Sequence, residues 1–260
     1  MELTFDTNMF SFYYRDNRIE SEVLWESHCH ASFEMISVLE GEVSVNLEGR
    51  EYILSSGKAL ILPPLVYHTV TAKKKGRYSR VTAFFHASAL PEVIRDSFCA
   101  NDSAYVVSCS YQTKELEKIC KSERFAFFTP LAESVMTEIF YECVKSSAYG
   151  ADSEIDETLE RMLVYIDTHL SEMITIDGIA RNVARSRSYV SHVFSEKMGI
   201  TPKQYILSKK LALAQKYITQ GMPSTEAAMR VGHDNYSDFY RIYKKHTGHS
   251  PSNTDTKKIL

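Results

Sequence analysis

The sequence predicts an α+β chain of two domains: an antiparallel β-barrel with helices behind it, then an all-α domain of two helix-turn-helix units joined by a linker helix. Three observations carry this. Short apolar or alternating runs broken by Gly and Pro fill the stretch from Val23 to His86. A small, polar segment, Ser146-Ser147-Ala148-Tyr149-Gly150-Ala151-Asp152-Ser153, has the composition of a linker. Beyond Glu154 the pattern is helical with short punctuation, and it repeats itself. The expected layout is a barrel at 1–100, a helical dimerisation and linker region at 101–150, and the double helix-turn-helix domain at 151–260.

A chain of 260 residues, 44% hydrophobic, can bury the cores of one or two domains. Its start, Met1-Glu2-Leu3-Thr4-Phe5-Asp6, lacks a basic or long apolar leader, and no later run approaches the ~18 apolar residues of a membrane span. A cytoplasmic protein without membrane contact is expected. Five cysteines, widely spaced and without a C-x-x-C pair, argue against a disulfide framework or zinc knuckle. No catalytic triad, phosphate-binding Gly loop or redox motif is present. The net charge of −3 conceals a division: from Ser153 onward 15 Lys and Arg face 12 Asp and Glu, leaving the front half acidic. The basic end is the natural candidate for a nucleic-acid contact.

Within the barrel stretch, Val43-Ser44-Val45-Asn46-Leu47 and Ala59-Leu60-Ile61-Leu62-Pro63-Pro64 read as strands, with turns at Glu48-Gly49-Arg50 and Ser55-Ser56-Gly57. After about Pro91 the strand signals fade. Thr129-Pro130 opens a helix in which Leu131, Val135, Ile139 and Cys143 share a face that Met136, Phe140 and Val144 widen. So broad a face needs two partners, the barrel and a second copy of the chain, which predicts a homodimer.

The repeat is the most informative feature. Ala180, Val183, Phe194, Gly199 and Pro202 recur as Ala228, Val231, Tyr243, Gly248 and Pro251, offset by 48 residues and then 49, so the extra residue falls in the turn. Each copy has a short helix ending near Asn182 or Arg230, a tight turn, and a longer helix ending near Lys197 or Lys245 before a Gly. Ser186 and Asp234 occupy the expected N-caps of the second helices. Between the copies, Thr201-Pro202-Lys203-Gln204 starts a helix with Leu207, Leu211, Ala214 and Ile218 on one face. At about 17 residues and 25 Å it can hold two recognition helices about one DNA turn apart. Phe194, Tyr243, Val183, Val231, Leu211 and Ile218 are expected in the core.

The second unit, Arg230-Val231-Gly232-His233 through Ser237-x-Phe239-x-Arg241 and Tyr243-Lys244-Lys245 to Gly248-His249-Ser250-Pro251, resembles the signature of the AraC/XylS family of transcription regulators. The resemblance covers roughly 100 residues and implies sequence-specific binding to double-stranded promoter DNA under a small-molecule effector, with RNA polymerase as a further contact and nucleoid association when DNA is bound. Carried over by position, the base-facing residues are Arg187, Ser188, Ser191 and His192 in the first unit and Tyr236, Ser237, Tyr240 and Arg241 in the second. Lys197, Lys203, Lys209, Lys244 and Lys245 suit phosphates. Three departures predict a looser second core: His233 where the family has an aromatic, Ser224 and Ala227 where it has an Ile pair, and Lys210 where it has Arg.

In the front half, His28-Cys29-His30-Ala31-Ser32-Phe33-Glu34 with Gly41, then Gly57, Pro63 and His68, resembles the two motifs of cupin barrels. Alternate strand residues face one way, so His28 and His30 can point inward beside Glu34 and His68. Three imidazoles and a carboxylate can hold Zn²⁺, Mn²⁺, Fe²⁺ or Ni²⁺, line an effector pocket, or form a hydrogen-bonded core. Trp25, Tyr67, Phe85 and His86 are expected near the same cavity, a composition that suits sugars among other small ligands. Two other readings stay open: a metal-dependent cupin enzyme with a helical appendage, and a protein-interaction adaptor.

Overall fold

A computed structural model describes residues 1–252 apart from 8, 26, 91, 93–94, 96–103, 123–124 and 146–154. The expected linker lies outside the described residues. The chain divides into two compact units, one of Met1–Ser27, Ser32–Asn46 and Glu51–Asp152, the other of His28–Ala31, Leu47–Arg50 and Ser153–Leu260.

The first unit is built on two sheets. One has six antiparallel strands in the order β1 (Glu2–Asp6), β2 (Phe10–Ile19), β9 (Gly76–Phe85), β4 (Phe33–Glu40), β7 (Lys58–Leu62) and β10 (Tyr105–Ser108). The other runs β3 (Val23–Leu24), β8 (His68–Ala72), β5 (Glu42–Leu47), β6 (Arg50–Ser55). Three strands lie outside the expected stretch. β1 and β2 precede Val23, and β10 follows Pro91 and pairs Tyr105 with Ile61 on β7.

Directly paired residues share a face of an antiparallel sheet. Phe12 and Met35 flank Ala83, and Phe10 and Phe33 flank Phe85. This face merges with α1 (Ser110–Cys120) and α2 (Phe125–Lys145) into one core, through Leu116, Ile119, Met136, Ile139 and Phe140. Each such side chain, fully buried, contributes about 1.5–3 kcal/mol. The opposite face carries Glu34, Ile36 and Val38 beside Phe84, Thr82 and Arg80. It looks toward the four-stranded sheet, as the His68–Glu34 and Trp25–Tyr78 contacts show.

Helix α2 departs from expectation at its start, since Pro130 lies inside it and not at its first turn. Val135, Met136, Ile139, Phe140 and Cys143 are buried as expected, whereas Leu131 and Val144 are exposed at 44% and 39%. The apolar face is therefore narrower than the sequence pattern and is filled by the sheet. Burial pushes the thiols of Cys109 and Cys120 up to about 12, which leaves them inert at neutral pH.

The second unit holds α3 (Glu157–Thr168), α4 (Ile176–Asn182), α5 (Arg187–Met198), α6 (Pro202–Thr219), α7 (Ser224–Arg230) and α8 (Tyr236–Thr247). Local signals set each boundary. Thr201 and Gln204 form a reciprocal capping box with Pro202 at the first helical position, and Gly199 and Gly248 close α5 and α8 in the left-handed conformation. Among the described residues no helix is long and apolar enough to cross a membrane.

Candidate DNA interface and barrel site

The pairs α4–α5 and α7–α8 are the two helix-turn-helix units expected from the repeat. Val190, Phe194 and Met198 anchor α5 from below, and Phe239 and Tyr243 anchor α8. All six residues expected in the core are buried. The turn of each unit passes through a left-handed residue at the same place in the repeat, Ala184 (φ 54) in the first and Gly232 (φ 73) in the second. A Cβ on Gly232 would lie 2.9 Å from Lys210 Nζ and 3.2 Å from the carbonyls of Ser171 and Glu172, so here crowding adds to the strain that the backbone conformation alone puts on a side chain.

With the cores turned inward, the opposite faces present the expected readers. Arg187, Ser188, Ser191 and His192 are exposed on α5, and Ser237, Tyr240, Arg241 and Lys244 on α8. Ser186 caps α5 as expected, but α8 is capped by Asn235, whose carboxamide accepts from Ser237 N and Asp238 N, and not by Asp234. Counted from these caps, Arg187 is the first residue of its helix and Arg241 the sixth of its own. Both guanidiniums rest on nearby carboxylates at 3.2 Å, Asp177 and Asp238 respectively, in pairs exposed enough to exchange for DNA.

Two expected contacts differ from the exposed readers. Tyr236 is half-buried, its hydroxyl 2.7 Å from Ser224 Oγ and its ring against Phe239, so part of its surface is given to the core of its unit. Lys209 is 4% exposed and ion-paired with Asp167 at 2.9 Å, so it cannot reach a phosphate; Lys197, Lys203, Lys244 and Lys245 are exposed. Burial depends on which residues of α6 face the surrounding helices, and periodicity alone did not reveal it. Sequence reasoning missed Arg181 and Arg185, which line a depression at the α4–α5 turn with Thr175, Asp177 and Arg187. Arg185 also lies 5.5 Å over the exposed ring of Tyr189.

The looser second core expected from the three departures is not found. Ala227 is fully buried, Ser224 holds Tyr236, and the His233 ring sits edge-on to Phe239 at 5.5 Å where the family has an aromatic. Lys210 Nζ donates to the carbonyls of Glu172 (2.6 Å) and Val231 (2.7 Å), joining the α3–α4 loop to the second turn. Burial, assisted by the Lys210 charge, lowers the His233 pKa below 6.5. The unfolded chain therefore takes up the proton first, and His233 contributes stability above pH 6.5 that is lost as pH falls through the lower folded value. Thermal unfolding at pH 7.5 and 5.0 should show a larger loss in the natural chain than in His233→Phe; equal losses would remove His233 from the account.

The four ligand-type residues do meet. One donor atom each from His28, His30, Glu34 and His68 lies within 4.8 Å of the others. His30, Glu34 and His68 are buried, and His28 is half-buried with its ring 5.7 Å from that of His30. A carbonyl can only accept, so the 3.0 Å contact to Val66 O puts the proton on His68 Nδ1 and turns Nε2 toward Glu34, 3.0 Å away. Burial opposes protonation of His68, but the Glu34 hydrogen bond and charge outweigh it and leave the pKa raised. Tyr67 is buried with its hydroxyl donating to Ser27 O at 3.0 Å, and the Trp25 ring lies tilted against that of Tyr78 at 5.5 Å. Phe85 is not near this cluster's face: it packs outward with Phe33 and Phe140 in the helix-covered core. Next to Trp25 lies an arginine that sequence reasoning passed over, Arg80, 5.2 Å below the indole.

Residues 10–118 match the AraC-like ligand binding domain family, and 179–257 match a helix-turn-helix domain family. The chain is 22% identical over 246 residues to the uncharacterized HTH-type transcriptional regulator YdiP of Escherichia coli, covering 88% of this chain and 80% of that one. It is 24% identical over 225 residues to the arabinose operon regulatory protein of the same organism, covering 82% and 77%. Among solved structures, an apo ToxT variant from Vibrio cholerae aligns over 95% of this chain and 97% of its own, at 11% identity and a TM-score of 0.47.

Proposed function

Since the chain belongs to the AraC family of transcription regulators, a ligand-binding domain followed by a DNA-binding one, we propose that it reads promoter DNA with the exposed faces of α5 and α8, working as a homodimer in the cytoplasm and not as a catalyst. The carrying observation is the pair of capped recognition helices whose cores face inward while Arg187, Ser188, Ser191 and His192, and Ser237, Tyr240 and Arg241, face out. An arginine fork at a guanine edge and serines at either edge supply direct readout, and Lys244 with its neighbours supplies phosphate contact. RNA polymerase is the further partner the reading needs, and Tyr141 and Val144, exposed on α2, are where a second chain would add apolar contact. Footprinting of the purified chain on its own upstream region tests the reading, with two protected major-groove segments about one turn apart as the expected result. Sedimentation tests the dimer.

The barrel takes the effector, bound among His28, His30, Glu34, His68, Trp25 and Tyr67. The histidine and carboxylate donors also fit a divalent transition ion, Zn²⁺, Mn²⁺, Fe²⁺ or Ni²⁺, because the set is compact, largely buried and held in a defined tautomer at His68. Bound there, the ion would supply a charge and open coordination positions for an oxygen-bearing effector. Elemental analysis of protein purified without chelator should give about one ion per chain. Glu34→Ala or His68→Ala should reduce it at least tenfold, and metal-free protein with unaltered effector response would restrict the four residues to lining the pocket.

A further inference from the structure

We propose that the barrel effector carries a carboxylate, and that Arg80, assisted by Thr82, is the group that receives it. This rests on the reading that the first unit binds the effector. Arg80 is 8% exposed on the inward face of β9, opposite Val38 of β4. Its Nε makes no hydrogen bond, and among the described residues no carboxylate lies within ion-pairing distance of the guanidinium. Trp25 and Tyr78 flank the group at 5.2 and 5.9 Å from their ring centres. One pleat further along the same face, Thr82 is 4% exposed and its Oγ1 is also unpartnered.

A buried cation with no carboxylate paired to it among the described residues is costly, and aromatic faces offset only a small part of that cost. A single-charged carboxylate removes it. The planar fork accepts two oxygens side by side, and the Thr82 hydroxyl is available to donate to the same group. A phosphate dianion would replace one uncompensated charge by another, and a neutral ligand would leave the guanidinium as it is. Tyr78 is 3% exposed; burial raises its pKa against the pull of Arg80, so it stays a neutral phenol beside the pair.

The test uses the full chain and a matched pair of probes, phenylacetate and phenylacetamide, in thermal unfolding. Phenylacetate at about a hundred times its Kd should raise the Tm by roughly 5 °C, and phenylacetamide should not. Arg80→Met should abolish the response while raising the Tm of the ligand-free chain, because it removes a desolvated charge. Thr82→Val should weaken phenylacetate about tenfold and keep the fold. A ligand-free Tm that falls in Arg80→Met, or a natural chain equally indifferent to acid and amide, overturns the proposal. So does a Tm rise with D-glucose or L-arabinose that Arg80→Met retains, an outcome that leaves the barrel an effector domain. If phenylacetate binds through Arg80 but promoter affinity does not move, the carboxylate site stands and the effector reading falls.

Discussion

Lys210→Met should destabilise the C-terminal unit by about 3 kcal/mol, close to the largest loss expected from any one side chain there. The ammonium donates to two carbonyls that are remote in sequence, Glu172 at 2.6 Å and Val231 at 2.7 Å, and the side chain is 7% exposed. Methionine keeps the volume and removes both donors, so two buried acceptors lose a charged partner at once. Lys210→Arg should recover most of the loss, since a guanidinium reaches the same carbonyls. Urea unfolding of the three chains reads this directly; a Met variant within about 0.5 kcal/mol of the natural chain would show that water replaces the ammonium.

Arg241→Ala should weaken specific promoter binding by about 10–100-fold, the range for loss of one bidentate base contact, and relax the preference at a single base pair. Non-specific affinity should change much less. Lys244→Ala makes the complementary case: binding falls across all sequences, and the slope of log K against log salt drops by about one. The Arg241 guanidinium is 77% exposed and, among the described residues, is tied only to Asp238, so folding should be intact in both variants. Unchanged operator affinity in Arg241→Ala would move readout in the second unit to Ser237 and Tyr240.

The helical half was legible because its signals are local. Caps, Pro202, the Gly residues after α5 and α8 and the apolar spacing each act within a few residues, and they placed both units and their cores. What the spacing hid there depends on neighbours distant in sequence: Lys209 looked like a phosphate contact but faces Asp167, and Tyr236 is partly turned toward Ser224. In the barrel the four ligand-type residues were found because H-x-H spacing puts two imidazoles on one face of an extended segment. Strands β1 and β2 were missed. The alternation in β2 ends in Arg15, Asp16, Asn17 and Arg18, which reads as a solvent loop until Arg15 is seen opposite Glu2 and Arg80. Arg80 was missed for the same reason: Tyr78, Arg80 and Thr82 read as the wet face of a half-buried strand, and only the second sheet makes that face an interior.

The two recognition helices carry their arginines at different places, Arg187 in the first turn of one and Arg241 near the middle of the other, and this bears on how much a stretch of DNA must spell. Five helical positions are about 7.5 Å, close to two base-pair steps. A guanine sought by Arg187 and one sought by Arg241 thus fall at different places within their respective grooves. On the proposed readout, the operator for one chain would be two unlike words about ten base pairs apart, not one word written twice. Unlike words have a direction, so a single chain bound in this way would distinguish upstream from downstream and would orient whatever it recruits without help from a palindrome.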